Sequence, residues 1–213
     1  MITPIKLDPH MPHTTAVLKY YSRCDAIRKS IKNGDFKTFH KIFADLQSDN
    51  YFNENSYQEY MIMAAASGNL QCFECLQPYV SEPTVYSDAL NNAAEKGHLT
   101  LVQHIAPLVD AYSQEEGLCM AVLYNRIDVV QHLLPLCNPK NQSSKFLAAA
   151  AAEGHTELFE LLYPLSNPED ALRYIQRKFP TQPDHWAMLE QRIVRDKLLA
   201  VMPHDRYNKR SKI

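Results

Sequence analysis

The stretch Ala89-Leu90-Asn91-Asn92-Ala93-Ala94-Glu95-Lys96-Gly97-His98-Leu99 decides the fold. Leu90, Ala93 and Ala94 share one helical face, Gly97 suits a left-handed turn, and Leu99 opens a second apolar pattern. Tyr60 to Leu70 and Phe146 to His155 repeat this arrangement, and Gly34, Gly68, Gly97, Asn125 and Gly154 form a column spaced 34, 29, 28 and 29 residues apart. Seven positions before the column stand Ile27, Met61, Leu90, Leu118 and Leu147. Four before it stand Ser30, Ala64, Ala93, Ala121 and Ala150, and three before it Ile31, Ala65, Ala94, Val122 and Ala151. Alanines on this face let neighbouring helices approach closely. After the column, a second face recurs at two positions on (Phe36, Leu70, Leu99, Ile127, Thr156), five on (Phe39, Phe73, Val102, Val130, Phe159) and eight on (Ile42, Leu76, Ile105, Leu133, Leu162). Such self-similarity predicts stacked helix pairs, none of which buries its apolar face alone.

Local signals punctuate the pairs. Pro78, Pro107, Pro135 and Pro164 lie ten positions after the column and predict the end of each second helix, because proline has no N–H to continue it. Ser87-Asp88 and Glu115-Glu116 are read as openings of first helices, where such residues cap free N–H groups and suit the positive helix end. Asn125 stands where the other turns have glycine, and asparagine tolerates the left-handed region.

Over roughly residues 24–179 this core resembles the ankyrin repeat family. The family's Thr-Pro-Leu-His opening is absent, and most intervals are four or five residues short of the usual ~33. The resemblance implies an all-α fold: an ankyrin-like α-solenoid of about five helix-turn-helix repeats, with shortened or absent β-hairpin fingers and helical caps. The repeats are expected near residues 24–45, 57–80, 87–109, 116–137 and 144–166, within a single domain over 14–202. Only the polar loop from Ser48 to Asn55 leaves room for a full finger. Pro4, Pro9 and Pro12 predict an extended arm over 1–13, followed by a capping helix from Thr14 to Ser22. A C-terminal cap is expected over 168–202: a helix from Pro168 to Phe179, then an amphipathic helix from Asp184 to Val201 with Trp186, Leu189, Ile193 and Leu198 on its apolar side. Residues 203–213 form a basic tail.

Composition bounds the function. The chain has 213 residues, 46% hydrophobic and 22% charged, as expected of a soluble globular protein without a membrane partner. No apolar run approaches the ~18 residues of a membrane helix, and the N-terminus lacks the apolar core of a secretory signal peptide. Five scattered cysteines suggest a reducing, cytoplasmic setting. The net charge of −2 divides into +4 over residues 1–46, −11 over 47–191 and +5 over 192–213. An acidic middle disfavours nucleic acid and favours a protein with a basic segment.

No phosphate loop, nucleophile elbow or His-Glu-x-x-His motif occurs. Cys72 and Cys75 form a lone Cys-x-x-Cys pair in a packing column, without a second ligand pair. His98 and His155 follow column residues and suit bracing of the turn, while His104 and His132 share a column on the second helix. No catalytic residue, cofactor or metal is therefore expected. The resemblance implies a monomeric, non-enzymatic interaction module or adaptor that meets a macromolecule on its concave face. It places the contacts at the two positions before the column, Lys32 and Asn33, Ala66 and Ser67, Glu95 and Lys96, Leu123 and Tyr124, and Ala152 and Glu153, and Tyr86 and Tyr112 are read as loop residues that extend the patch. Short repeats of this kind also resemble ankyrin proteins of intracellular bacteria and large viruses. That implies an effector delivered into a host cell without a cleaved N-terminal signal peptide. Two alternatives stay open: a small metal-dependent enzyme using His or Cys, and a nucleic-acid contact through the basic tail.

Overall fold

The computed structural model describes residues 12–47, 53–137 and 139–201. Among these, every regular element is helical and no strand occurs. The α-helices are α1 (Pro12–Lys32), α2 (Phe36–Gln47), α3 (Glu54–Ala66), α4 (Leu70–Leu76), α5 (Pro83–Lys96), α6 (Leu99–Ile105), α7 (Ala111–Leu123), α8 (Ile127–Leu133), α9 (Pro139–Ala152), α10 (Thr156–Leu162), α11 (Pro168–Lys178) and α12 (Asp184–Val201). The two helices of each pair, α1–α2, α3–α4, α5–α6, α7–α8 and α9–α10, pack on each other, as do α11 and α12. Each odd-numbered helix from α1 to α9 contacts the next odd-numbered helix, and the even-numbered helices lie against their partners on one side.

The column residues sit between the helices of a pair. Gly34, Gly68, Gly97 and Gly154 have φ of 70°, 75°, 80° and 71°, and Asn125 has φ 55°. The following N–H then bonds to the carbonyl five residues back, as in His98 N to Ala93 O at 2.9 Å and Arg126 N to Ala121 O at 2.8 Å. This closes the first helix with a Schellman-type turn. The carbonyl acceptor belongs to the small residue of the preceding face, so one position serves both turn and packing. Ile27, Met61, Leu90, Leu118 and Leu147 are wholly buried, as are Ala64, Ala93, Ala121 and Ala150. Ser30 keeps the register by donating its hydroxyl to Ile27 O at 2.7 Å. After the turn, Phe39, Phe73, Val102, Val130 and Phe159 fill the core. In α2 the register drifts: Phe43 and Leu46 are buried, whereas Ile42 is only half-buried.

Several helix ends differ from the sequence reading. α5 begins at Pro83, with proline in the first turn where its missing N–H costs nothing, and α7 begins after Asp110, whose Oδ1 accepts from Ser113 N at 2.8 Å. Ser87-Asp88 and Glu115-Glu116 therefore lie inside helices rather than at their starts, and Tyr86 and Tyr112 are helical, not loop, residues. Asn53 caps α3, so Glu54 and Asn55 belong to a helix rather than to the expected loop. Ser48 to Phe52 lie outside the described residues, as do 1–11 of the expected arm and 202–213, which include the basic tail. Pro12 and His13 are the start of α1, a single 21-residue helix that takes in both the expected capping helix and the first repeat helix. α4, α6 and α10 run into short 3-10 turns that contain Pro78, Pro107 and Pro164, and α8 ends in a turn at Pro135. α11 and α12 begin where expected; Leu189 and Ile193 are buried, but Leu198 is exposed.

Candidate functional site

Two recesses run along the odd-numbered helices. One, of ≈ 250 Å³, lies where Asn91 of α5 faces Tyr112, Glu115, Glu116 and Met120 of α7. The other, of ≈ 90 Å³, lies between α7, α9 and α11, with Leu123, Ala149, Ala152 and Phe179 among its walls. Cys119 and Lys145 line both, so the two lie side by side across α5, α7, α9 and α11. Ala148, Ala149 and Ala152 line the α9 end, where longer side chains would fill it. The α5–α7 end is acidic and aromatic: Tyr112 is 68% exposed, and its phenol is pushed up by a hydrogen bond to Glu116 and by that carboxylate's charge. Lys145 and Lys178 are the cations of the recesses.

The sequence-predicted contacts spread over more than these recesses. Glu153 and Tyr112 line them. Tyr124 is 48% exposed at the C-terminus of α7, and Lys32 and Asn33 are exposed at the end of α1. Ser67 caps α3 through its backbone N–H. Glu95 and Lys96 pair with each other at 2.7 Å, and Lys96 lines a separate polar recess with Arg126 and Asp128. Tyr86 turns inward, its hydroxyl donating to Val80 O at 3.0 Å. The walls missed by sequence reasoning lie one turn earlier, at Asn91, Cys119, Met120, Ala148 and Ala149. The signal was present: residues five and six before the column share the helical face of the residue two before it.

Three histidines act at the turns. His98 Nε2 donates to Ala66 O at 3.1 Å and His155 Nε2 to Leu123 O at 3.0 Å. Arg126, at the same register position, donates from Nε to Glu95 O at 2.8 Å, and His185 of α12 donates from Nδ1 to Ala152 O at 3.0 Å. In each case the acceptor is the carbonyl two residues before a column residue. A ladder of side chains thus ties the turns at Gly68, Gly97 and Asn125 each to the next pair, and α12 supplies the last rung, at Gly154. α12 is also held by Arg192, which bonds both Glu160 oxygens at 2.6 and 2.8 Å and lies 4.7 Å over the Tyr163 ring.

His104 Nε2 meets Gln77 Oε1 at 3.1 Å, and its ring stands edge-on to Phe73. Burial pushes the Cys72 thiol up to about 12 and Cys137 up to about 11, and it raises Cys75 as well, which keeps these sulfurs protonated and poorly nucleophilic. Among the described residues, no three His, Cys, Asp or Glu side chains converge to hold a metal ion, and no helix is long and apolar enough to cross a membrane. No known protein-family model matches the chain, and no curated protein matches it, so any functional reading rests on the residues themselves.

Proposed function

We propose that the chain is an ankyrin-like helical stack that works as a non-enzymatic protein-interaction module, taking a polypeptide segment in the recesses along α5, α7, α9 and α11. The single observation that carries this reading is the adjacency of the two recesses, which share Cys119 and Lys145: Ala148, Ala149 and Ala152 line one, and Glu115 and Glu116 line the other. An apolar lining offers area for side chains, and the acidic end favours a segment with Lys or Arg there. Protonated, buried thiols and histidines engaged in turns support binding rather than catalysis.

The test measures binding of the purified chain to a set of peptides graded in charge and hydropathy. Basic peptides with apolar residues should bind. Ala149→Trp should fill its recess and abolish binding, and Glu115→Lys with Glu116→Lys should weaken it about tenfold or more while thermal stability stays near that of the parent. Unchanged binding by both variants would reject the site.

A further inference from the structure

A second surface has a regularity of its own. Eleven positions after the column stand Tyr79, Leu108, Leu136 and Leu165, each directly after a proline. All four are large, apolar and half in water, at 45%, 48%, 46% and 50% exposure. The cause is local. The residue that follows each of them turns toward the core, with Val80 and Cys137 buried and Val109 and Ser166 half-buried. Tyr79, Leu108 and Leu165 each close a 3-10 turn on its outer side, next to an exposed proline, and Leu136 follows exposed Pro135 in the same way. Single exposed leucines are ordinary, but four in one register form a ridge. At the α4 end Tyr79 stacks on Tyr57 with ring centroids 4.8 Å apart and meets Phe43 edge-on at 5.7 Å, so the ridge there is rigid and aromatic.

Charge flanks the ridge. Glu82 and Asp110 follow Tyr79 and Leu108 in their links, and Glu169 and Asp170 follow Leu165 in the first turn of α11. Glu169 pairs with Lys197 and Asp170 with Arg173, whereas Asp110 caps its own helix and Glu82 accepts from the Thr84 hydroxyl. Negative charge is therefore concentrated beside Tyr79 and Leu108. An anionic lipid surface is repelled by it, and a cationic segment is attracted.

Spacing selects the shape of that segment. α6 and α8 pack on each other, and packed helices lie about 8–10 Å apart, the interval expected between ridge residues. Seven residues of an α-helix rise about 10.5 Å and return to the same face, whereas same-face residues of an extended strand recur every ~6.6 Å. A polyproline segment also repeats near this interval, but such ligands are held in aromatic-lined grooves, and three of these four residues are leucine. We infer that the Tyr79–Leu108–Leu136–Leu165 ridge docks a basic amphipathic helix of a partner protein, with the helix's apolar stripe along the ridge and its Lys and Arg residues beside Glu82 and Asp110.

The probe is a fluorescent peptide of about four heptads with Leu at two positions per heptad and Lys or Arg flanking them. Its controls are a scramble of the same composition and a Pro-rich basic peptide. Binding to the full chain is read by anisotropy, and the mass of the free chain by light scattering. The expected result is that the amphipathic peptide binds and becomes helical. Leu108→Ser with Leu136→Ser should then weaken it about tenfold or more, and Glu82→Lys should weaken it and flatten its salt dependence, all without change in melting temperature. Equal binding of the scramble would make the interaction charge alone and overturn the inference. Tighter binding of the Pro-rich peptide, or an undiminished affinity of the double variant, would do the same. A concentration-dependent dimer that the double variant abolishes would assign the ridge to a second copy of the chain instead.

Discussion

The residue after the column does opposite work in the two halves of the molecule. In the first two pairs it is Asp35 and Asn69, whose side chains point forward: Asp35 Oδ1 accepts from Thr38 N at 3.0 Å and Asn69 Oδ1 from Cys72 N at 3.1 Å. Each caps its own second helix. In the next three pairs it is His98, Arg126 and His155, which point backward to a carbonyl of the preceding turn. Short side chains reach only the local N–H groups, and long ones span the gap to the neighbouring pair. At this position the first two pairs use the side chain to cap their own second helix, and the next three use it to join one pair to the one before. The forward choice also leaves a trace, since Asn69 Nδ2 is buried without a hydrogen-bond partner.

The sharpest way to break the contrast is at the glycines. A Cβ on Gly68 would stand 2.8 Å from His98 Nδ1, whereas one on Gly154 meets nothing within 4 Å. Gly68→Ala should therefore lose both backbone conformation and the His98 rung, costing about 2–3 kcal/mol, and Gly154→Ala the conformation alone, about 1–2 kcal/mol. Urea denaturation of the two variants checks this, and equal losses would remove the rung from the account. Next in size is a pair of substitutions at one position. His98→Ala should cost about 1 kcal/mol, while His98→Asn should stay within about 0.5 kcal/mol because asparagine caps α6 in place of bracing α3. An asparagine variant as weak as the alanine one would show that the two roles are not exchangeable.

The smallest effect concerns acid. Hydrogen bonds from the Thr38 hydroxyl and amide hold the Asp35 carboxyl below the ordinary carboxylate range. Its folded pKa is lowered, so its contribution is complete above the unfolded value and vanishes as pH falls through the folded one. The stability difference between the parent and Asp35→Ala should be constant from neutral pH down to the carboxylate range and should then shrink. The difference for Arg126→Ala, which removes a bond to a backbone carbonyl and no carboxylate, should not change over the same span.

The helix pairs were legible because burial imposes a period: the leucine, alanine and glycine positions recur whatever surrounds them. The starts of α5 and α7 were not, because Pro83 and Asp110 are single capping residues outside the periodic frame, and the later Ser87-Asp88 and Glu115-Glu116 carry the same chemistry. His98 and His155 suggested bracing, but Arg126 hid its membership of the set, since the shared property is a donor of sufficient reach rather than a residue type. The recesses were partly legible. Glu153 and Tyr112 line them, while Asn91, Cys119 and Ala149 looked like ordinary helix residues, because openness depends on what the neighbouring helix leaves unfilled.

The backward ladder gives the chain a direction in time. Each rung is supplied by a residue 31 to 33 positions downstream of the carbonyl it secures. During synthesis, a turn that has already emerged is therefore completed only when the following pair arrives. The turn at Gly154 waits longest for its latch, His185, which closes the series from within the last helix.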